Sequence, residues 1–322
     1  MAAVSGTFTT FPAIGEREDL TDAIYDISPT ERPFMSSVGR GDAKAVYHEF
    51  QTDALASASA SNAVIEGDDA SFTTASPTTR LGNYCQISRK EVLVSGTLRA
   101  VDTAGRADEF AYQSAKAGRE LARDIESALC QNGASTAGGT GTARTLAGLE
   151  SWLSTNKTAL SGTTTPTTPG ASGGTPGVKP TDDGGTSALT ESPVKAIIKA
   201  IWDQGGDPKM ALVGSGAKQT ISGFSGVAPL RTDAPARGSV TIVAGVDLYR
   251  SDFGEIRIVP SHFVRSRVVS LLDTDYWSVA YLRGVEREML AKTGDADKAM
   301  ILAEYTLVSK NEAASGKITE VA

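Results

Sequence analysis

Cysteine and histidine are scarce in this chain, and each scarcity excludes something. Only Cys85 and Cys130 occur among 322 residues, far apart in sequence. Two isolated cysteines make no disulfide framework and read as buried or idle thiols of a reducing compartment. His48 and His262 are the two histidines. Neither belongs to a paired cysteine or carboxylate motif, so both read as structural rather than as metal ligands. There is no lysine- and arginine-rich run, and the net charge is −7, so tight nucleic-acid binding has no electrostatic footprint. No window approaches about 18 apolar residues, so no membrane-spanning helix is expected. The stretch MAAVSGTFTTFPAIG at the start lacks a basic region followed by an apolar core and does not read as a signal peptide.

The signatures of chemistry are equally sparse. No G-x-S-x-G elbow, H-E-x-x-H or C-x-x-C is found. Gly139 and Gly141 resemble a phosphate loop in composition only, because no G-K-[ST] follows a strand. Lys292-Thr293-Gly294-Asp295 reads as a turn between strands. Asp68-Asp69 and Asp182-Asp183 lie in polar stretches and read as solvated loop charges. Cys85 has no evident partner base. No catalytic, cofactor-binding or metal-binding residue is assigned, no cofactor is expected, and the chain is not read as an enzyme.

What is present is enough chain for one large or two ordinary domains, with 40% hydrophobic and 21% charged residues. Residues 103–132 stand out as thirty residues without proline. On a 3.6-residue helix, Phe110, Ala117, Leu121, Ile125, Ala128 and Leu129 share one side, flanked by Ala111, Ala115, Gly118 and Ala122. Arg106, Asp108, Glu109, Lys116, Arg119, Glu120, Arg123, Asp124 and Glu126 take the other side. Asp102 or Thr103 is the expected N-cap and Asn132-Gly133 the stop. Such a rod is roughly 45 Å long, and its small-residue face invites a flat β-sheet.

Around this helix the chain alternates arms and layers. Residues 1–15 read as an extended arm that orders only against something else. Glu16 to Asp26 reads as a short amphipathic helix, and Ser28-Pro29-Thr30-Glu31 has the form of a capping box. Phe34, Met35 and Val38 follow as anchors. From Ala43 the period becomes two, through Val46, His48 and Phe50. Thr52 to Thr79 is loose and polar, and Leu81 to Val94 is strand-like again. The pair reads as an extended hairpin, which is marginal when isolated and so calls for a neighbouring subunit. Residues 156–190 are rich in Thr, Gly and Pro and read as an exposed insertion. Helices are expected at 192–203 and 215–224, with strands at 210–213, 240–246, 248–250, 256–259, 267–272, 277–281 and 300–309, and an edge strand at 317–321.

Several motifs, in this order, resemble the major capsid proteins of tailed bacteriophages with the Hong Kong 97-type fold, in particular the SU10-like major capsid protein family. They are ISPTERPFMSSVG from Ile27, HEFQTDAL from His48, NYCQISRKEVLVSGT from Asn83 and GRADEFAYQSAKAGRELARDIESAL from Gly105. ARTLAGLESWLSTN from Ala143, YRSDFGEIRIVPSHF from Tyr249 and LAKTGDADKAMILAEYTLVSKNEAASG from Leu290 continue the series. The insertion at 156–190 departs from the pattern.

The resemblance implies an α+β fold of that type. Residues 1–41 would be the N-terminal arm and 42–96 the extended loop. A peripheral domain would span 97–155, carrying the spine helix 103–132, with return strands from 271–322. An axial domain would occupy 186–270. It implies a structural shell protein that self-assembles into hexamers and pentamers of an icosahedral head. The head would enclose double-stranded DNA without sequence-specific binding. Portal, scaffolding and decoration proteins are the implied partners, with scaffolding a separate chain because the arm begins almost at once. The location would be the virion, assembled in the bacterial host cytoplasm. A nanocompartment shell enclosing cargo protein is the alternative. Phe34, Met35, His48, Phe50, Asp53, Arg80, Tyr84, Arg89 and Lys90 are the expected inter-subunit contacts.

Overall fold

The computed structural model describes residues 28–53, 55–69, 72, 74–75, 77–101, 107–160, 180, 182, 184–224 and 247–322. The expected arm and first helix at 1–26, the strand at 240–246 and most of the Thr/Gly/Pro-rich stretch lie outside them.

Two sheets carry the architecture. In the first, β1 (Gly39–Asp42), β10 (Trp277–Leu290), β11 (Ala296–Ser309) and β4 (Gln86–Ser95) lie side by side in that order. β1 runs parallel to β10, and the other pairs are antiparallel. Along β11 the side chains alternate. Ala299, Ile301, Ala303, Tyr305 and Leu307 join the core on one face, beside Val92 and Val94 of β4. α3 (Glu109–Cys130) lies across β4 and β11 on that face, burying Phe110, Ala117, Leu121, Ile125 and Leu129.

The helix begins later than the sequence predicts. Asp108, not Asp102 or Thr103, is the N-cap, and its carboxylate accepts from Phe110 N at 3.0 Å. At 22 residues the rod is about 33 Å long. Its small-residue flank is only partly used: Ala111 and Ala115 are exposed, and the large aliphatics make the contact. Glu109 and Glu126, expected on the polar face, are buried.

The second sheet has the order β5 (Asn156–Ala159), β12 (Gly316–Thr319), β9 (Val269–Leu272), β6 (Met210–Val213), β8 (Gly254–Pro260), β7 (Leu248–Ser251). β6 shows why a short run of apolar residues forms its centre. Met210 and Leu212 point into the core shared with α3, while Ala211 and Val213 point into a second core. That second core is closed by α5 (Glu191–Asp203), through Val194, Ile197, Ile198 and Ile201, and by α6 (Ser215–Ser222), through Ala217 and Ile221.

Three expectations change here. Residues 156–159, expected in the exposed insertion, form β5 of the second sheet, and Ser187 makes an isolated bridge with Val321. The expected edge strand near 317 is interior, between β5 and β9, because every residue of β12 is buried. The 271–322 return segment is therefore shared between both sheets. The helix expected from the capping box at Ser28 begins later: α1 (Pro33–Ser37) starts after Arg32, whose side chain does not cap it. Two further short helices, α2 (Gly96–Ala100) and α4 (Leu149–Trp152), bracket α3. Gly148 enters α4 where a Cβ would lie 1.9 Å from Gln131 O, so only glycine lets the turn close on the end of α3.

Candidate assembly surface

A two-stranded hairpin projects from this body. β2 (Tyr47–Thr52) pairs antiparallel with β3 (Thr79–Tyr84), from Tyr47 opposite Tyr84 to Thr52 opposite Thr79. At its base the Tyr47 and Tyr84 rings lie 4.7 Å apart, and Gly82 leaves room for the end of the Tyr47 ring, which a Cβ there would approach to 2.5 Å. Farther out, Arg80 donates to both Glu49 carboxylate oxygens, at 2.6 and 2.7 Å.

Asn83 fixes the hairpin to the body. It is fully buried. Its Nδ2 donates to Leu307 O at 2.9 Å and Ala147 O at 3.4 Å. Its Oδ1 accepts from Ser135 Oγ and Ala147 N, both at 2.9 Å. One amide thus joins β3, β11 and the loop before α4, with every hydrogen-bonding position used.

The hairpin's far end is unlike its base. Leu55 is 100% exposed, Val64 79%, Ile65 80% and Phe72 96%, and Glu66, Asp68 and Asp69 stand beside them in solvent. Large apolar side chains this exposed find no cover among the described residues. The distal half of β10 adds Val285 and Met289, also exposed.

Three buried carboxylates brace the body. Glu126 of α3 accepts from Phe34 N through Oε1 and from Met35 N through Oε2, both at 2.8 Å, and so caps α1 from another element. Burial pushes its pKa up, against those hydrogen bonds and the charge of Arg32. Glu150 of α4 accepts from Arg265 Nη1 at 2.9 Å, and its backbone oxygen accepts from Lys317 Nζ at 2.7 Å. Burial raises the Glu150 pKa and lowers that of Lys317. Glu304 of β11 accepts from Arg144 at 2.7 Å and Arg283 at 3.0 Å. At the other end of α3, the guanidinium groups of Arg99 and Arg287 each lie 5.5 Å from the Phe110 ring.

The residues expected to touch neighbours divide. Phe34 is removed from that set: it is 0% exposed and packs edge-on against Trp277, leaving no surface for another subunit. Met35 is half-buried over Tyr281, and Phe50 leans on Trp152 at 5.9 Å. His48 is half-buried, and that burial lowers its pKa. Tyr84 is half-buried in the hairpin base. Asp53 and Arg80 are exposed on the hairpin. Arg89 pairs with Glu91 on the open face of the first sheet, and Lys90 pairs with Asp124 of α3 on the covered face. Asn83, Glu126 and Glu150 went unrecognised in the sequence. Only Glu126 carried a signal, since it shares a helical side with Ala122 and Leu129. Among the described residues no cluster of three or more His, Cys, Asp or Glu is placed to hold a metal ion, and no helix is long and apolar enough to cross a membrane.

A spine helix over long strands, a second α/β layer and a projecting hairpin define the Hong Kong 97-type class of capsid shell proteins. The fold matches the Cyanophage A-1(L) capsid asymmetric unit with a TM-score of 0.65 at 12% identity, over 95% of this chain and 97% of that one. It matches a Gordonia phage Cozz chain with a TM-score of 0.62 at 10% identity, over 98% and 99%. The chain belongs to the SU10 major capsid protein family, whose profile matches residues 3–322. It is also 36% identical over 129 residues to the major capsid protein of Escherichia phage Phieco32, a match that spans 40% of this chain and 37% of that relative. It is thus a phage capsid shell protein, a component of the virion. The cargo-compartment alternative gains nothing from these relatives.

Proposed function

We propose that many copies of this chain assemble as hexamers and pentamers into an icosahedral head around double-stranded DNA. Residues 43–85 serve as the extended loop; 86–95, expected in that loop, form β4 and belong to the sheet under α3. The sheet under α3 serves as the peripheral domain, and the second sheet with α5 and α6 as the axial domain. The observation that carries this reading is the hairpin, rooted by Asn83 and ending in exposed Leu55, Val64, Ile65 and Phe72. A two-stranded ribbon has little stability of its own, and such a tip gains burial only against another copy. Many modest contacts then sum to a stable closed lattice. The chain's net charge of −7 favours enclosing DNA over gripping it. A portal at one vertex, a separate scaffolding chain and decoration proteins complete the assembly, which takes place in the bacterial host cytoplasm. The role is mechanical, without catalysis. Negative-stain microscopy of the protein expressed with its scaffolding partner should show shells, tubes or capsomers. Strictly monomeric protein at high concentration under all such conditions would sink this reading.

A further inference from the structure

Asn132 and Gly133 follow the C-terminal end of α3, where the sequence predicts its stop. The fold asks for no glycine at 133. Gly133 is not among the glycines with positive φ. A Cβ built on it would meet only Leu146 O at 3.4 Å and Gly148 N at 3.8 Å, ordinary contact distances. Its carbonyl is fixed, accepting from Gly148 N at 3.1 Å and Ser151 Oγ at 2.6 Å. Its N–H finds no acceptor among the described residues. The Asn132 side chain is half-buried. Its Nδ2 donates to Pro180 O at 2.5 Å, and its Oδ1 has no donor among the described residues. One hydrogen bond thus holds a carboxamide beside a backbone nitrogen whose own residue carries no side chain to block a close approach.

We propose that Asn132 is a self-modifying site: the Gly133 nitrogen closes on its carboxamide, and conversion to aspartate unties the end of α3 from Pro180. The Gly133 N–H loses its proton to hydroxide, and the nitrogen bonds to Asn132 Cγ. The Cγ–Nδ2 bond then breaks, and Nδ2 leaves as ammonia after taking a proton from water. Both reacting groups belong to adjacent residues, so the closure is intramolecular and needs no second reactant. Water opens the resulting cyclic imide at one of its two carbonyl carbons, and the nitrogen regains its proton. The product is aspartate or isoaspartate, the isomer whose backbone runs through the side-chain carbonyl carbon. One water is taken up and one ammonia released, with nothing oxidised or reduced.

Sequence makes the site singular. The other asparagines, Asn62, Asn83, Asn156 and Asn311, precede Ala, Tyr, Lys and Glu, whose side chains hinder the same closure. Structure gives the conversion a consequence. Pro180 leads into a segment held on the second sheet: Arg265 donates to Asp182, Arg267 to Gly185 O, and Ser187 N to Glu320 O. The Asn132 amide ties this segment to the spine helix. A carboxylate in its place only accepts, so two acceptors face each other and the tie is lost. Isoaspartate also adds a methylene to the backbone just ahead of the carbonyl that holds Gly148 and Ser151.

Mass spectrometry of the full, folded chain aged in mildly alkaline buffer tests this. The peptide holding Asn132 should gain the mass difference between an amide and an acid, ahead of every other asparagine peptide. Gly133→Ala, which the space at 133 accommodates, should slow that gain about tenfold. Converted chains, separated from the rest by their added negative charge, should exchange amides 184–187 about tenfold faster than unconverted ones. Asn132→Asp should match them. Conversion no faster at Asn132 than at exposed Asn62, or undiminished in Gly133→Ala, overturns the modification. Converted chains whose 184–187 amides exchange like those of unconverted chains overturn the untying. All of this is read on unassembled protein, so it stands or falls separately from the capsid reading, which microscopy decides.

Discussion

The Glu126 carboxylate and the Phe34 backbone N–H are joined at 2.8 Å across 92 residues of sequence, and the same carboxylate's second oxygen takes the Met35 N–H. A five-residue helix cannot hold itself. Here its N-terminal donors are satisfied by a side chain of the spine helix, so the entry of the N-terminal chain and the spine form one unit. Glu126→Ala leaves two donors without a partner, one of them buried, at a cost of about 1–3 kcal/mol for each buried donor. Glu126→Gln keeps one acceptor and should cost about half as much. Urea denaturation of the unassembled protein measures both. Equal stability of all three proteins would show that the cap holds nothing.

The same residue sets a pH dependence. Burial raises its pKa in the folded protein, so the folded state binds the proton more tightly than the unfolded chain. The contribution is fully present in acid and is lost as pH rises from about 4.3 through the folded value. Glu150 acts with the same sign, because burial raises its pKa also. Melting temperature measured from pH 4 to 8 should therefore carry a downward component that flattens in Glu126→Gln. An unchanged slope in the variant would assign the component elsewhere.

Asn83→Ala should destabilise by about 3 kcal/mol, because buried Ala147 and Leu307 backbone groups lose their partner. The hairpin's root should loosen first. Faster hydrogen exchange at 47–52 and 79–84, with little change in α3, is the expected pattern. Uniform acceleration across the chain would argue against a local anchor.

Arg265→Ala leaves the Glu150 carboxylate buried beside Lys317 but without its guanidinium partner, at a cost of about 3–5 kcal/mol. Arg265→Met combined with Glu150→Leu should recover much of that loss. A double variant as unstable as Arg265→Ala would mean that the pair contributes more than mutual neutralisation.

Deleting residues 54–78 removes the exposed tip but neither core. The body should stay folded by circular dichroism while assembly, read by sedimentation, fails. Normal particles from this variant would remove the hairpin from the assembly mechanism.

Periodicity made the spine helix legible, because Phe110, Leu121, Ile125 and Leu129 recur at helical spacing whatever they pack against. It also made β8 and β11 legible, and the first arm of the hairpin; the strand-like run from Leu81 to Val94 divides, its start pairing with β2 and its remainder, as β4, with β11. Its boundaries were less legible. Asp108 and Thr103 are both acceptable caps, and local chemistry does not choose between them. β5 was read as insertion because NKTA carries no apolar pattern of its own. It becomes a strand only beside β12. The strand expected at the edge near 317 is interior, and its Lys317 is buried with its ammonium on the backbone oxygen of Glu150.

The sequence by itself determined the elements and their apolar faces, since these depend on side-chain spacing along one segment. It also carried the ordered motifs that resemble the capsid family. Tertiary structure decided where polar side chains end their hydrogen bonds. Asn83, Glu126 and Glu150 are ordinary residues in the sequence and become anchors only when segments 52 to 224 residues away supply their partners. The hydrophobic effect is non-directional and leaves its mark on local pattern. Hydrogen bonds need a partner at about 2.9 Å, and only the folded chain brings that partner there.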